Sequence, residues 1–377
     1  MPGRFGIGEL GRQAEAFAEA LFSMGQGWWQ MLPIGPTGHA DSPYQSPSSF
    51  AGNHLLVSLD RLMEDGLLDR ADVDVIPPMP SDMVEFGAVI PSRMRALNLA
   101  ADRFLERADS PFEEFCRRHG PIWLDEYALF MALKAAHGGR RWTEWHPAFA
   151  ARRPEALAEA RGNLAGPLHR VKVHQFLFQQ QWDALREACR RLGIGLIGDL
   201  PIFAAHDSAD VWADRELFQL DQAGDPTVVA GVPPDYFSTT GQRWGNPLYR
   251  WEAHRSQGFR WWKERARRVF ELFDLVRIDH FRGFLASWEV PASHLTAVGG
   301  SWAEAPGAEL LEALQGELGK LPVIAEDLGT ITKDVHALRE AFRLPGMRVL
   351  QFALTHRHPK SSPHWPDNWP VHSVGYT

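Results

Sequence analysis

The strongest constraint on the fold is a repeated succession of an amphipathic helical pattern and a short apolar segment. Apolar residues recur at helical spacing in residues 8–25, 174–192, 259–273, 308–318 and 333–342. Six short apolar segments, each typical of a buried strand, occupy residues 28–33, 193–199, 275–279, 322–326, 347–352 and 372–376. Helices that alternate with buried strands predict an α/β protein with a parallel sheet, and six such strands in succession favour a (β/α)8 TIM barrel over an open sheet.

The alternation is interrupted by a long segment of a different character. Residues 55–171 contain helical patterns rich in Ala, Leu, Glu and Arg, such as residues 92–108 and 113–137. We therefore predict an all-helical insertion at residues 55–171. It separates a first part of the barrel, residues 1–54, from a second part, residues 172–377.

Composition and charge exclude several classes of function. The 377 residues carry a formal charge of −8 without long basic runs, so a nucleic-acid partner is not expected. No apolar stretch reaches the roughly 18 to 20 residues of a membrane helix, and the N-terminal residues lack the apolar core of a signal peptide. We expect a cytoplasmic protein without a membrane partner, in which Cys116 and Cys189 are free thiols.

Charged residues are placed unusually at the ends of three predicted strands. In the segment 275–284, Arg277 and Asp279 alternate with Val276 and Ile278, so the two charges share one face of the strand. Asp199 and Glu326 end two other predicted strands. Because active sites of barrels lie at the carboxyl ends of the strands, these carboxylates are expected to converge there.

Paired carboxylates support glycosyl transfer by a retaining mechanism, which requires neither metal nor cofactor. Asp279, held ionised by Arg277, is the candidate nucleophile. Glu326, with a pKa raised by burial and by the neighbouring negative charge, is the candidate general acid and base. A purely structural salt bridge between Arg277 and Asp279 remains open at this point.

Four longer motifs carry a family resemblance. They are Gly-Asp-Leu-Pro-Ile-Phe-Ala-Ala-His-Asp-Ser-Ala-Asp-Val-Trp at 198–212, Val-Ala-Gly-Val-Pro-Pro-Asp-Tyr-Phe-Ser-Thr-Thr-Gly-Gln-Arg-Trp-Gly-Asn-Pro-Leu-Tyr at 229–249, Val-Arg-Ile-Asp-His-Phe-Arg-Gly-Phe at 276–284 and Ile-Ala-Glu-Asp-Leu-Gly at 324–329. Together with residues 2–8 and 32–46, these motifs resemble those of the amylomaltases, or disproportionating enzymes. The amylomaltases are the 4-α-glucanotransferases of glycoside hydrolase family 77 in the α-amylase clan.

The resemblance implies roles for individual residues. It makes Asp279 the nucleophile and Glu326 the acid/base of an enzyme that transfers α-1,4-glucan segments between maltooligosaccharides, with glucose as an acceptor and without a cofactor. It further implies a lid loop at residues 231–249, whose two prolines stiffen one end and whose glycines loosen the other. The implied substrate-binding residues are Ser42, Tyr44, Asp199, Asp235, Phe237, Gln242, Trp244, Arg277 and His280.

The resemblance also predicts that the family pattern extends beyond both ends of this sequence. The third catalytic carboxylate of the family follows a Gly-Tyr-Thr like that at 375–377, and a first barrel strand precedes Pro2. We therefore expect either a fragment of a longer product or misassigned ends. An open barrel with exposed strand edges would be poorly soluble or need a partner.

Two other functions remain open from the sequence alone. The 15 Trp residues suit a glucan-binding protein without catalysis, because flat rings stack on sugars. An α-glucan hydrolase of the same clan is the second alternative, and the lid favours transfer over it. A metal site at His206, Asp207 and Asp210, or at His356 and His358, is less favoured than helix capping or hydrogen bonds to sugar.

Overall fold

The computed structural model describes residues 3–107, 109–235, 238–355 and 358–376, which divide into two compact units. The first unit comprises Met1–Leu196 and Ala204–Arg215. The second unit comprises Ile197–Phe203 and Glu216–Thr377. The three-part division at residues 54 and 171 stays a prediction.

The first unit is mainly helical. Its helices are α1 (Arg12–Ser23), α2 (Leu59–Glu64), α3 (Arg70–Val73), α4 (Phe86–Leu105), α5 (Ser110–His119), α6 (Asp125–Ala136), α7 (Pro147–Ala150), α8 (Pro154–Asn163), α9 (Ala165–Arg191) and α10 (Ala209–Ala213). The helical pattern at 113–137 is divided in the structure, because the π-helical turn Gly120–Leu124 separates α5 from α6. The unit also contains strand β1 (Trp28–Gln30) and the first two residues of strand β2 (Gly195–Leu200).

The long helix α9 organises the core of the first unit. It packs against α4, α5 and α6. The rings of Phe104 on α4, Phe112 on α5 and Phe176 on α9 meet with centroid separations of 5.5 to 5.6 Å. Burial of such large apolar rings from three helices stabilises their association, since each contributes a large apolar area.

A buried ion pair in the first unit gives a stability prediction. Arg93 on α4 is fully buried; its Nη1 lies 2.8 Å from Glu9 Oε1, and its Nη2 donates to the carbonyl oxygen of Val57. Arg93→Met is expected to lower the free energy of unfolding by about 3–5 kcal/mol, because the Glu9 carboxylate stays buried without its partner. Urea unfolding followed by circular dichroism measures the change.

The control for this prediction is the exposed ion pair between Arg12 and Glu64, whose atoms lie 2.6 Å apart. Arg12→Met is expected to leave the unfolding midpoint unchanged, since water screens exposed charges. Equal midpoints for the Arg93 and Arg12 variants would contradict a stabilising role for the buried pair.

The second unit contains most of the strands. They are β2, which enters from the first unit, β3 (Val228–Val232), β4 (Gln242–Pro247), β5 (Leu275–Ile278), β6 (Ala286–Pro291), β7 (Ser301–Glu304), β8 (Val323–Ala325), β9 (Gly346–Val349) and β10 (Ser373–Tyr376). Its helices are α11 (Trp251–Ser256), α12 (Arg260–Leu272), α13 (Gly307–Leu318), α14 (Lys333–Ala341) and α15 (Leu350–Leu354).

The six predicted strands form one sheet in the order β1-β2-β5-β8-β9-β10, which is also their order along the chain. The pairs β2/β5, β5/β8, β8/β9 and β9/β10 are parallel. Helices α12, α13 and α14 occupy the connections between these strands. The prediction of an α/β fold with a parallel sheet is thus confirmed. The strand predicted at 347–352 ends earlier, at Val349, because helix α15 begins at Leu350.

A second sheet was not predicted from the sequence. It is antiparallel and has the strand order β4-β3-β6-β7. The predicted lid, residues 231–249, contains the end of β3 and all of β4, so it is a hairpin of this sheet and not an irregular loop throughout. Glycines and a proline weaken the strand pattern in this hairpin. The pairing of β3 with β4 and with β6 supplies the order that the local sequence does not.

Two further predictions from the sequence concern the state of the two cysteines and the absence of membrane-spanning helices. Cys189 is buried, Cys116 is half-buried, and neither forms a disulfide within the described part of the chain. None of the helices in the described parts of the chain is long and apolar enough to cross a membrane.

Candidate active site

The candidate site lies within the second unit, at the carboxyl ends of neighbouring parallel strands. Val276 and Ile278 of β5 are buried. Arg277 and Asp279, the residue that directly follows β5, lie on the opposite face and form an ion pair. Arg277 pairs in register with Asp199 of β2, and Ile278 pairs with Ala325 of β8. Alternation along β5 therefore brings its two charged residues toward carboxylates from both neighbouring strands.

Arg277 bridges two carboxylates. Its Nη1 donates to Asp199 Oδ1 at 2.7 Å, and its Nη2 lies 2.8 Å from Asp279 Oδ1. Burial by itself lowers the pKa of Arg277, but the charges of Asp199 and Asp279 raise it well above its usual range. The guanidinium group is therefore permanently charged and forms ion pairs with both aspartates.

The two aspartates differ in depth and exposure. Asp199 is opposite Arg277 in the strand register, two positions deeper than Asp279, and its side chain is 2% exposed. The side chain of Asp279 is 29% exposed. Of these two carboxylates, Asp279 is thus the one that a substrate can reach, while Asp199 fixes the position of Arg277.

Glu326 lies beside Asp279 on the adjoining strand. Its backbone N–H donates to the carbonyl oxygen of Ile278 at 3.1 Å, which continues the β5/β8 ladder. The two carboxylate oxygens accept hydrogen bonds of 2.8 Å from the N–H groups of His280 and Leu328. Burial raises the pKa of Glu326 to about 7, against the opposing effects of these N–H groups and of Arg277.

His280 turns the chain sharply at the end of β5. Its φ of 53° is a left-handed conformation, which directs its N–H toward Glu326. Burial lowers the pKa of its ring to about 4, so the imidazole is neutral at pH 7. The Nε2 atom is buried and has no hydrogen-bond partner among the described residues. A neutral imidazole nitrogen in this state suits a ligand hydroxyl.

An aromatic cluster connects the lid hairpin to this site. The Trp244 ring of β4 meets the His280 ring edge to face at 4.9 Å, and Phe203 lies 6.4 Å from each of them. Trp244 Nε1 donates to Gln242 Oε1 at 3.1 Å. Phe203 was not singled out from the sequence, although it belongs to the motif at 198–212.

The lid turn itself is closed by polar contacts. The exposed Asp235 accepts a 2.8 Å hydrogen bond from the Ser238 N–H, and its own N–H donates to the Ser238 carbonyl oxygen at 2.9 Å. Phe237, one of the implied substrate-binding residues, lies outside the described residues. Asp235 is therefore fixed by its own turn at one oxygen.

Ser42 and Tyr44 belong to the first unit. Ser42 Oγ accepts a hydrogen bond of 3.2 Å from the Tyr44 N–H and so caps the short turn Pro43–Gln45. Their predicted contact with sugar stays a prediction.

The residues considered for a metal site have other contacts. Asp207 lies 2.5 Å from Lys134 Nζ, Asp210 accepts a 2.8 Å hydrogen bond from the Ser49 N–H, and Trp142 Nε1 donates to the His206 carbonyl oxygen. His356 lies outside the described residues. Within the ranges that the structure describes, no group of three His, Cys, Asp or Glu side chains is arranged to hold a metal ion.

Comparison with known proteins decides the family. The model of glycoside hydrolase family 77, described as 4-alpha-glucanotransferase, matches residues 1–377. The chain belongs to the 4-alpha-glucanotransferase family. The family predicted from the sequence motifs is confirmed, as is the prediction of a transferase.

Individual relatives of the 4-alpha-glucanotransferase family support the same assignment. The enzyme of Thermus thermophilus is 50% identical over 383 residues, which is 100% of this chain and 75% of the relative. That of Synechocystis is 46% identical over 94% of this chain and 71% of the relative. The amylomaltase of Streptococcus agalactiae, solved in complex with acarbose, is 37% identical with a TM-score of 0.96 over 100% of this chain and 76% of that one. This match confirms the barrel fold class.

Proposed function

We propose that this 4-alpha-glucanotransferase acts by a retaining double displacement with Asp279 as nucleophile and Glu326 as general acid and base. The observation that supports this assignment is that two carboxyl groups lie on adjoining strands in different electrostatic environments. Asp279 faces the guanidinium group of Arg277, whereas burial holds the pKa of Glu326 near 7. A retaining mechanism needs one ionised and one protonated carboxyl group side by side.

The reaction proceeds in two steps. In the first, Glu326 gives its proton to the glycosidic oxygen while Asp279 attacks the anomeric carbon, so the glycosidic bond breaks and a glycosyl-enzyme ester forms. In the second, the ionised Glu326 takes the proton of an acceptor hydroxyl, whose oxygen displaces Asp279. Glu326 thereby recovers its proton, and Asp279 its negative charge.

The substrates proposed are maltooligosaccharides and starch-type α-1,4-glucans as donors, with maltooligosaccharides or glucose as acceptors. Arg277 and His280 are the proposed binding residues closest to the reacting sugar, since both adjoin Asp279 in the second unit. Asp199, which is almost fully buried, is proposed to act through Arg277. The Nε2 atom of His280, which has no hydrogen-bond partner among the residues described, supports a hydrogen bond to a sugar hydroxyl. Asp235, Phe237, Gln242, Trp244, Ser42 and Tyr44 stay candidate contacts from the family resemblance.

The lid hairpin is proposed to favour transfer over hydrolysis. Trp244 packs directly against His280, the residue after the nucleophile. A hairpin in this position shields the glycosyl-enzyme from water while an acceptor sugar occupies the site. Contact between Trp244 and His280 thus supports a transferase with a protected intermediate.

Incubation of the purified protein with maltotriose tests the proposed function. Glucose together with maltooligosaccharides longer than maltotriose is the expected product pattern, resolved by anion-exchange chromatography. Glucose and maltose without longer chains would indicate a hydrolase. Binding of maltotriose without any product would contradict catalysis and support a glucan-binding protein.

The pH dependence of kcat/KM is expected to show an alkaline limb near pH 7. Glu326 must carry a proton to act as general acid, and its pKa of about 7 means that this proton is lost as the pH rises. Above that value, kcat/KM for maltotriose should fall about tenfold per pH unit. A kcat/KM that stays constant from pH 6 to pH 9 would contradict the acid assignment.

A further inference from the structure

An exposed tryptophan in the antiparallel sheet has no part in the proposed chemistry. Trp302 on β7 is 40% exposed, and it pairs in the strand register with Trp288 on β6. The two indole rings meet edge to face, with centroids 5.1 Å apart. An exposed aromatic ring that its neighbours hold in place is available to stack on the apolar face of a ligand.

One face of Trp302 is fixed by a buried arginine. The guanidinium carbon of Arg282 lies 3.7 Å from the centroid of the Trp302 ring, and Arg282 is 7% exposed. Arg282 Nη1 also donates to the carbonyl oxygen of Thr330. A desolvated guanidinium group on an indole face forms a strong cation–π contact. The contact with Arg282 therefore fixes the orientation of the Trp302 ring.

This arrangement adjoins the catalytic carboxylates along the chain. Arg282 follows Asp279 by three residues, and Thr330 follows Glu326 by four. Three residues of chain span at most about 11 Å, so the Arg282 backbone lies within that distance of the nucleophile. Arg282 thus connects the Trp302 ring to the chain segments that carry Asp279 and Glu326.

The loop between β6 and β7 connects the tryptophan pair to the lid. The Ala297 N–H donates to the carbonyl oxygen of Thr240 in the lid hairpin, and its carbonyl oxygen accepts from Trp288 Nε1 at 2.9 Å. Gly300 allows this close approach, because a Cβ there would lie 2.3 Å from Trp288 Nε1. The loop between β6 and β7 thus connects the tryptophan pair to the lid hairpin through hydrogen bonds.

We propose that Trp302 is a stacking platform for an outer glucosyl unit of long α-glucans, positioned by Arg282. The inference rests on the proposed function, since it extends the same substrate-binding site. An indole ring held flat on one side offers a rigid apolar face, on which the apolar face of a glucose ring stacks at little entropic cost. Neutral sugar is a suitable ligand because Arg282 uses its charge on the opposite side of the ring.

Chain-length dependence tests this platform. Trp302→Ala is expected to raise KM for maltoheptaose about threefold to tenfold, the size of one lost aromatic contact. KM for maltotriose and kcat for both donors should stay within about twofold, because a short donor is expected to occupy only the positions next to Asp279 and Glu326. Trp302→Phe should restore most of the affinity for maltoheptaose.

Leu295→Ala provides the matched control, because Leu295 lies in the same β6–β7 loop and is almost fully exposed. It should leave both KM values unchanged. Equal effects of Trp302→Ala on maltotriose and maltoheptaose, or no effect on either, would overturn the platform. Both outcomes leave maltotriose disproportionation by the unmodified protein intact, so they are distinguishable from failure of the proposed function.

Discussion

Asp279→Asn is expected to lower kcat for maltotriose by a factor on the order of 10⁴ or more, the largest loss among the substitutions considered. The amide cannot form the glycosyl ester, and it removes a negative charge that faces Arg277 at 2.8 Å. Arg277 keeps its buried partner Asp199, so the local structure should survive. Initial rates of glucose release from maltotriose measure the loss.

A trapping experiment makes the assignment of Asp279 specific. In the variant Glu326→Gln, which lacks the base of the second step, an α-maltosyl fluoride donor should leave a covalent glycosyl ester, and peptide mass spectrometry should locate the sugar on Asp279. Asp334→Asn is the matched control, because this exposed aspartate lies in the first turn of α14. Its activity should be unchanged. Retention of more than about a tenth of the activity by Asp279→Asn would refute the nucleophile assignment.

Glu326→Gln is expected to lower kcat for maltotriose by a factor on the order of 10³. Glutamine has nearly the same shape as glutamate and keeps one oxygen that accepts a hydrogen bond. Its amide group cannot deliver a proton to the glycosidic oxygen. A donor with a good leaving group, such as α-maltosyl fluoride, needs little protonation. Its first half-reaction, measured as fluoride release, should therefore be affected far less than maltotriose.

The control for this second substitution is Glu312→Gln, at an exposed position of α13. Its rates with both donors should match those of the unmodified protein. The alkaline limb near pH 7 should also disappear in fluoride release by Glu326→Gln. An equal loss with maltotriose and with the activated donor would move the acid role to another group.

Both predictions depend on how charge is distributed over three strands. One guanidinium group, that of Arg277, serves two carboxylates directly, Asp199 and Asp279. Glu326 relies on two backbone N–H groups, which leave burial as the dominant influence on its pKa. Asp279 thus faces a permanent positive charge, whereas the pKa of Glu326 lies near neutral pH, as the proposed acid and base role requires.

The sequence by itself determined the parallel sheet and the positions of the two candidate reacting groups. The six apolar segments became the six strands of one sheet in the predicted order. Alternation along residues 275–279 was enough to place Arg277 and Asp279 on one face, because side-chain direction in a strand follows from a period of two. The ends of the strands, and hence the positions of Asp279 and Glu326 at those ends, could be predicted for the same reason.

Only the tertiary structure decided the rest of the site. The antiparallel sheet, the depth of Asp199 relative to Asp279, and the contact of Trp244 with His280 depend on strand register and on pairs far apart in sequence. The stacking of Arg282 on Trp302 is of the same kind. Local patterns carry no information about such pairs, since the free energy of each contact exists only after the chain has brought its partners together.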